Sequence, residues 1–186
     1  MAEKKLNTVR INAGEWRSRL IKFPNASGLR PTPERVRQTL FNWLGQDLTG
    51  KTCLDLFAGT GVMGFEALSR GAVTVTLVEK SLPAYKALLE NKQLLKAEYA
   101  SMVHQDALDF LASNKQKFSL IFLDPPYNQG WLTKVLPLLA EHMQENGLVY
   151  VEAEYALSAI PDLAQSWQVL KQSKAGNVFY HLLKSA

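Results

Sequence analysis

Asp124-Pro125-Pro126-Tyr127 directly follows an almost unbroken apolar run, Phe118–Leu123. A carboxylate, a conformationally fixed carbonyl and an aromatic ring come in immediate succession. An exocyclic amine on a nucleic-acid base is a poor nucleophile, because its lone pair is delocalised into the ring. Two acceptors that take its two N–H groups draw the nitrogen toward tetrahedral geometry and free that lone pair. The Asp124 carboxylate is one acceptor and the Pro125 carbonyl is the other. Pro125 and Pro126 fix two φ angles and so hold the carbonyl in place. Tyr127 can stack on the base, a contact worth roughly 1–3 kcal/mol. Such a site works by positioning and electrostatics. It needs no strong base beforehand, since the nitrogen becomes acidic only after it has been methylated. The chemistry that fits is methyl transfer to a conjugated amino nitrogen.

A donor for that methyl is implied at Asp55-Leu56-Phe57-Ala58-Gly59-Thr60-Gly61. Gly59 and Gly61 let the backbone turn sharply and approach a ligand closely. Glu79 ends a second apolar run 20 residues after Gly59, where an acid accepts hydrogen bonds from ribose hydroxyls. Asp106 ends a third run and can reach the edge of an adenine. Phe57, Ala58, Lys80 and Ala107 flank these residues and are counted with the same pocket. Gly59–Gly64 also matches the dinucleotide fingerprint G-x-G-x-x-G. A pyrophosphate would then sit at the following helix N-terminus, where the Asp55 carboxylate repels it. S-adenosylmethionine carries an ammonium and a sulfonium and no phosphate, so Asp55 attracts it.

Three other readings compete. A nicotinamide-dependent oxidoreductase meets the same objection at Asp55 and leaves residues 124–127 unexplained. An N6-adenine or N4-cytosine DNA methyltransferase uses the same tetrapeptide, but the chain is short for a separate target-recognition domain. A non-catalytic RNA-binding scaffold should show a decayed loop or tetrapeptide, and neither is decayed. The chemistry of the tetrapeptide leaves guanine, adenine and cytosine open.

The elements that must position these residues read as alternating strands and helices. Strands are expected at Thr52–Phe57, Val73–Val78, Met102–Gln105 and Phe118–Leu123, and helices at Val62–Arg70, from Ser81 to Lys96 and at Ala107–Ser113. A helix from Trp131 to Glu145 follows, then strands at Leu148–Glu152, Trp167–Lys171 and Val178–Leu183, the last two an antiparallel pair. This pattern predicts an α/β fold with an open, doubly wound, mostly parallel sheet whose ligands bind beyond the carboxyl ends of the strands.

Residues 1–31 read as a basic N-terminal arm and 32–186 as the catalytic domain. Val9, Ile11 and Ala13 alternate with polar residues, and Leu20, Ile21 and Phe23 follow a turn near Gly14, which predicts a hairpin. Thr32 caps a helix with Pro33 at its first position, and Arg35 and Arg37 point outward from it. Residues 1–50 hold nine basic and four acidic residues, a net of +5, which leaves −1 for the rest of a chain whose total is +4. Arg10, Arg17, Arg19, Arg30, Arg35 and Arg37 are candidates for a polyanionic partner; a solvated surface fits the charge alone equally well. Trp16 lies among them, to stack on a base or to cover the core edge.

A chain of 186 residues is long enough for one domain with a substantial core. It has no apolar run of the roughly 18 residues needed to span a bilayer. No apolar segment stands behind the charged N-terminus, so no secretory signal is expected. The single cysteine, Cys53, reads as a core thiol in a reducing compartment. These features point to the cytoplasm. His104 and His181 lie in strand-like runs and read as structural histidines, so no metal is expected.

The chain resembles the bacterial family of small-subunit ribosomal RNA guanine-N2 methyltransferases, those that modify guanine 966 of 16S rRNA. The resemblance rests on Arg10-Ile11-Asn12-Ala13-Gly14 with Trp16-Arg17, on Leu29-Arg30-Pro31-Thr32 running into Arg35-Val36-Arg37 and Leu40-Phe41-Asn42, and on Asp55 to Gly61. It continues through Glu66-Ala67-Leu68-Ser69-Arg70-Gly71 and Asp124 to Tyr127. The resemblance implies a seven-stranded class I methyltransferase fold with antiparallel last strands. It implies S-adenosylmethionine as donor, N2-methylguanine as product, and a monomer acting on 16S rRNA within a small subunit or an assembly intermediate. It also places the Arg30–Thr32 segment near the cofactor pocket, with Thr32 lining it.

Overall fold

The computed structural model describes residues 6–185. Residues 1–5, which belong to the segment read for a leader, lie outside the described residues. A hairpin comes first: β1 (Leu6–Arg10) and β2 (Leu20–Pro24) pair antiparallel, with Leu6 opposite Pro24. Alternation sends Val9, Ile21 and Phe23 inward and leaves Thr8 and Lys22 exposed, the two-residue period of a strand with one buried face.

The remaining elements alternate as expected. They are α1 (Glu34–Trp43), β3 (Thr52–Asp55), α2 (Val62–Ser69), β4 (Thr74–Val78), α3 (Leu82–Leu95), β5 (Ala100–Val103), α4 (Ala107–Ser113) and β6 (Phe118–Leu123). Then come α5 (Trp131–Leu139), β7 (Met143–Ala153), α6 (Pro161–Ser166), β8 (Trp167–Ala175) and β9 (Val178–Ser185). One seven-stranded sheet has the order β5-β4-β3-β6-β7-β9-β8. The first five of these are parallel neighbours, and β9 runs antiparallel to both β7 and β8. Strand order reverses between β3 and β6, and the crevice outside that switch is where an open α/β sheet binds ligands.

Each face of the sheet is covered. Cys53, Val75, Leu77, Leu120, Phe122 and Tyr150 pack with the hairpin, α1, α2 and α3. Leu54, Val78, Ile121, Leu123, Val149 and Val151 pack with α4 and α5. Phe118 joins the second face although its parity matches the first, because the β6–β7 register shifts between Phe118 and Leu120. Cys53 is a buried free thiol, and burial pushes its pKa up to about 12.

Boundaries moved in several places. The helix expected from Trp131 to Glu145 ends at Leu139; Ala140–His142 form a 3-10 turn and β7 already begins at Met143. Pro137 lacks an N–H to continue the helical ladder, and Met143 buries its side chain opposite Phe118. Gly147, just past the expected helix end, lies inside β7. The first central strand is shorter than Thr52–Phe57, although Leu56 N still donates to Phe122 O at 3.2 Å before the chain turns away. No helix among the described residues is long and apolar enough to cross a membrane.

Candidate active site

The five parallel strands all end in an acid. Across the sheet these acids run Asp106 beyond β5, Glu79 after β4, Asp55 in β3, Asp124 after β6 and Glu152 in β7. Of these five acids only Asp106 has an ion-pair partner among the described residues, Lys80 Nζ at 2.9 Å. The centre of the carboxyl edge therefore gathers three acids without a counter-ion, Asp55, Asp124 and Glu152, each of which raises the pKa of another and whose ionised forms a cation would favour.

The glycine loop leaves β3 in this field. Ala58 N donates to Val78 O at 2.9 Å, and Gly59 N donates to Glu79 Oε2 at 2.8 Å. Gly61 caps α2 at φ +79°, and a Cβ there would stand 2.4 Å from Leu88 Cδ2. Only glycine meets both the left-handed backbone and that close approach. Asp55 is buried under the loop and accepts from Gly64 N at 3.2 Å. Burial, with Glu79 and Glu152 nearby, raises its pKa to about 7 against the pull of the Gly64 hydrogen bond. Leu29, from the segment before α1, lies over this loop, its Cδ1 3.2 Å from where a Gly59 Cβ would be.

Asp106 caps α4 by accepting from Leu108 N at 3.0 Å, while its other oxygen holds Lys80. Burial works to raise its pKa, but the Lys80 and Leu108 hydrogen bonds outweigh it and leave the pKa lowered. Ala107, beside it, is buried, whereas the Lys80 side chain is largely in solvent. Phe57 packs edge-on to Trp131 with ring centroids 5.2 Å apart, joining the glycine loop to the start of α5.

Asp124, buried Pro125, exposed Pro126 and half-buried Tyr127 leave the end of β6 together. Asn128 N donates to Glu154 Oε1 at 2.8 Å and ties the turn to the end of β7. The pKa of Asp124 is held well above the usual carboxylate range by burial and then by Glu152 and Asp55, with no hydrogen bond to offset them. Burial, and then Asp124, Glu152 and Glu154, raise the Tyr127 phenol.

Sequence reasoning missed Glu152. It is 3% exposed, and Tyr150 OH donates to its Oε1 at 2.7 Å. The Thr32 and Tyr127 hydroxyls face the same carboxylate and work against the burial that raises its pKa. The signal was there: Leu148–Glu152 is a fifth apolar strand that closes on an acid, like those ending at Asp55, Glu79, Asp106 and Asp124.

Two expectations about the start of α1 are corrected. Thr32 does not cap the helix; the cap position is Pro33, without a side-chain bond. Its buried hydroxyl faces Glu152 instead. Arg37 does not point outward. It is 2% exposed and donates to Glu66 Oε2, Arg10 O and Thr32 O at 3.0, 3.0 and 3.1 Å. Helical spacing puts residue 37 one position past buried Val36, and Glu66 gives its charge a partner that sequence spacing could not reveal. Glu66 also accepts from Asn12 N, Ala13 N and Arg70, fastening the hairpin end to α2.

Arg10, Arg17, Arg19, Arg30 and Arg35 are exposed. Arg19 Nη2 donates to Leu94 O at 3.0 Å, near the end of α3. Trp16 is 8% exposed and covers the core edge. His181 is buried in β9, while His104 lies exposed after β5, stacked on Tyr85 at 5.0 Å. No group of three or more metal-ligating side chains occurs among the described residues.

Comparison with known proteins agrees across almost the whole chain. The family described as conserved hypothetical protein 95 matches residues 9–184. The ribosomal RNA small subunit methyltransferase D of Haemophilus influenzae is 42% identical over 95% of this chain and 94% of its own. The protein of the same name from Escherichia coli is 39% identical over 94% of this chain and 88% of its own. The solved structure of the yhhF protein from Escherichia coli superposes with a TM-score of 0.84 at 38% identity, covering 96% of this chain and 98% of that one.

Proposed function

The chain belongs to the conserved hypothetical protein 95 family, alongside the ribosomal RNA small subunit methyltransferases D, and from that membership we propose that it methylates the exocyclic N2 amino group of a guanine in 16S rRNA. The observation that carries this reading is the placement of Asp124–Tyr127 beside Asp55 on an acid-lined strand edge with no cationic partner at its centre among the described residues. That edge fits a cationic donor and opposes a phosphorylated one. S-adenosylmethionine, when bound, supplies an electrophilic methyl on a cationic sulfur.

The protein's own groups do the rest. Asp55 and its neighbours offer the negative charge, and Phe57, Ala58, Gly59 and Gly61 form the close-approach loop. Glu79 faces the ribose hydroxyls once Gly59 N shares it. Asp106, Ala107 and Lys80 form the far wall, where the adenine edge belongs, and Thr32 and Leu29 close the near side. Asp124 and the Pro125 carbonyl accept the two amino hydrogens of the base, Pro126 stiffens that carbonyl, and Tyr127 stacks on the ring. Catalysis is positioning and electrostatic complementarity.

The arm and the start of α1 present Arg10, Arg17, Arg19, Arg30 and Arg35 to the phosphates that flank the target. We infer a monomer working in the cytoplasm on a small subunit or an assembly intermediate. The test is methylation of 16S rRNA, or of small subunits from a strain lacking the enzyme, with labelled S-adenosylmethionine, followed by nucleoside mass spectrometry. N2-methylguanosine is expected. N6-methyladenosine, N4-methylcytidine or no product would overturn the reading.

A further inference from the structure

Glu152 has no task in the mechanism above, yet its burial is nearly complete and it has no cationic partner among the described residues. Burying a carboxylate without a counter-ion is costly, so its place needs a reason. Leu123 pairs with Val151 in the parallel β6–β7 ladder, which makes Asp124 and Glu152 the next residues on adjacent strands. Strands in a sheet lie about 4.8 Å apart, so the two acids flank one another at the mouth of the site. Tyr150 holds one Glu152 oxygen at 2.7 Å, and the Thr32 and Tyr127 hydroxyls also face the group. These three hydroxyls favour the ionised form against burial, and in that form the carboxylate is an oriented acceptor with nothing to donate.

The bases that carry an exocyclic amino group differ beside that group. Guanine has a ring N1–H next to its N2 amine. Adenine and cytosine have a bare ring nitrogen with a lone pair on the corresponding edge. We propose that Glu152 selects guanine: its carboxylate accepts the N1–H of the base whose amino group Asp124 and the Pro125 carbonyl hold, and it repels the ring lone pair of adenine or cytosine. The proposal rests on the amino-methyltransfer reading and adds the choice of base to it. A site built to bond an N–H rejects an analogue lacking it by about 10⁴-fold in favourable cases, because the buried acceptor is left unpaired.

2-Aminopurine probes this contact. It keeps the 2-amino group, replaces N1–H with a lone pair and also lacks the 6-oxo group, so the Glu152→Gln comparison assigns the loss to N1. Wild-type protein is given 16S rRNA with either guanosine or 2-aminopurine riboside at the target position, and initial rates of methyl transfer are compared. The 2-aminopurine RNA is expected to react at least about 100-fold more slowly. Glu152→Gln, whose amide can turn an N–H toward the bare nitrogen, is expected to shrink that ratio at least tenfold. Its S-adenosylmethionine affinity and thermal midpoint report whether it remains folded, and equal wild-type rates overturn the proposal without the variant. Similar wild-type rates on the two RNAs would overturn the proposal. So would a Glu152→Gln protein that slows both RNAs by one factor, which is the behaviour of a structural residue. Failure of wild type to methylate even the guanosine RNA would instead bring down the amino-methyltransfer reading, and this proposal with it.

Discussion

The Arg37 guanidinium and the Glu66 carboxylate meet at 3.0 Å with both side chains out of solvent. Arg37 thereby joins α1 to α2, and through Arg10 O and Thr32 O it also holds the end of β1 and the residue that faces Glu152. Burial pulls the Arg37 pKa down, while Glu66 opposes that shift. Arg37→Ala is expected to lower stability by about 3 kcal/mol, the effect of breaking one side of a buried pair; Arg70 still partners Glu66 and limits the loss. Arg35→Ala, two residues away and exposed, should stay within about 0.5 kcal/mol. Urea denaturation of both variants decides the matter. Comparable small losses would mean that Arg37 is a surface residue after all.

This pair shows what the sequence could and could not disclose. The strands and glycine loop were readable because apolar runs and φ-demanding turns are local. The tetrapeptide stood out because the groups proposed for the chemistry lie in four consecutive residues. Arg37 was misread because its partner, Glu66, is 29 positions away and a charged residue in a basic stretch gives no local sign of burial. Glu152 gave a local sign, an acid closing an apolar strand, but no sign of its task. Its role arises from the parallel register that sets it beside Asp124, and register is a tertiary fact. The length of α5 failed on a competition between helix periodicity and the pairing of Met143 with Phe118.

Asp124→Ala should reduce turnover at least about 100-fold, as loss of a preorganised acceptor does at a reacting centre. Affinity for S-adenosylmethionine should change less than about fivefold, because Asp55 and Glu152 remain to ionise against the cationic ligand. Single-turnover rates and calorimetric titration separate the two quantities. Equal losses in both would reassign Asp124 to cofactor binding or folding.

The Asp55 pKa, raised by burial to about 7 from 3.8, ties cofactor binding to pH. Between those two values the folded protein binds a proton that the unfolded chain does not, so stability without ligand should fall as pH rises from about 4 to about 7. A cationic ligand favours the ionised form. Its affinity should therefore climb as pH rises through about 7 and level off above that. Asp55→Asn should flatten this rise and weaken binding at pH 8. Titrations in buffers of different ionisation enthalpy would reveal proton release on binding near pH 7. A pH-independent affinity with no released proton is incompatible with this account.

Arg17 and Arg19 are neighbours on the hairpin turn, but they do not make equally clean probes. Arg19 already donates to Leu94 O near the end of α3, where a cation is favoured by the helix dipole. Arg19→Glu should therefore reduce stability by about 1 kcal/mol as well as weaken RNA binding. The Arg17 side chain is exposed, and its backbone N–H alone is engaged, to Gly14 O. Arg17→Glu should leave the melting temperature and cofactor affinity unchanged while lowering RNA affinity. If Arg17 neutralises one phosphate, the slope of log K against log salt should shrink by about 0.7–0.9 in the variant. Filter binding of 16S rRNA across a salt series measures both the affinity and the slope. An unchanged slope with weaker binding would place Arg17 outside direct phosphate contact, and an unchanged affinity would remove the hairpin from the RNA interface.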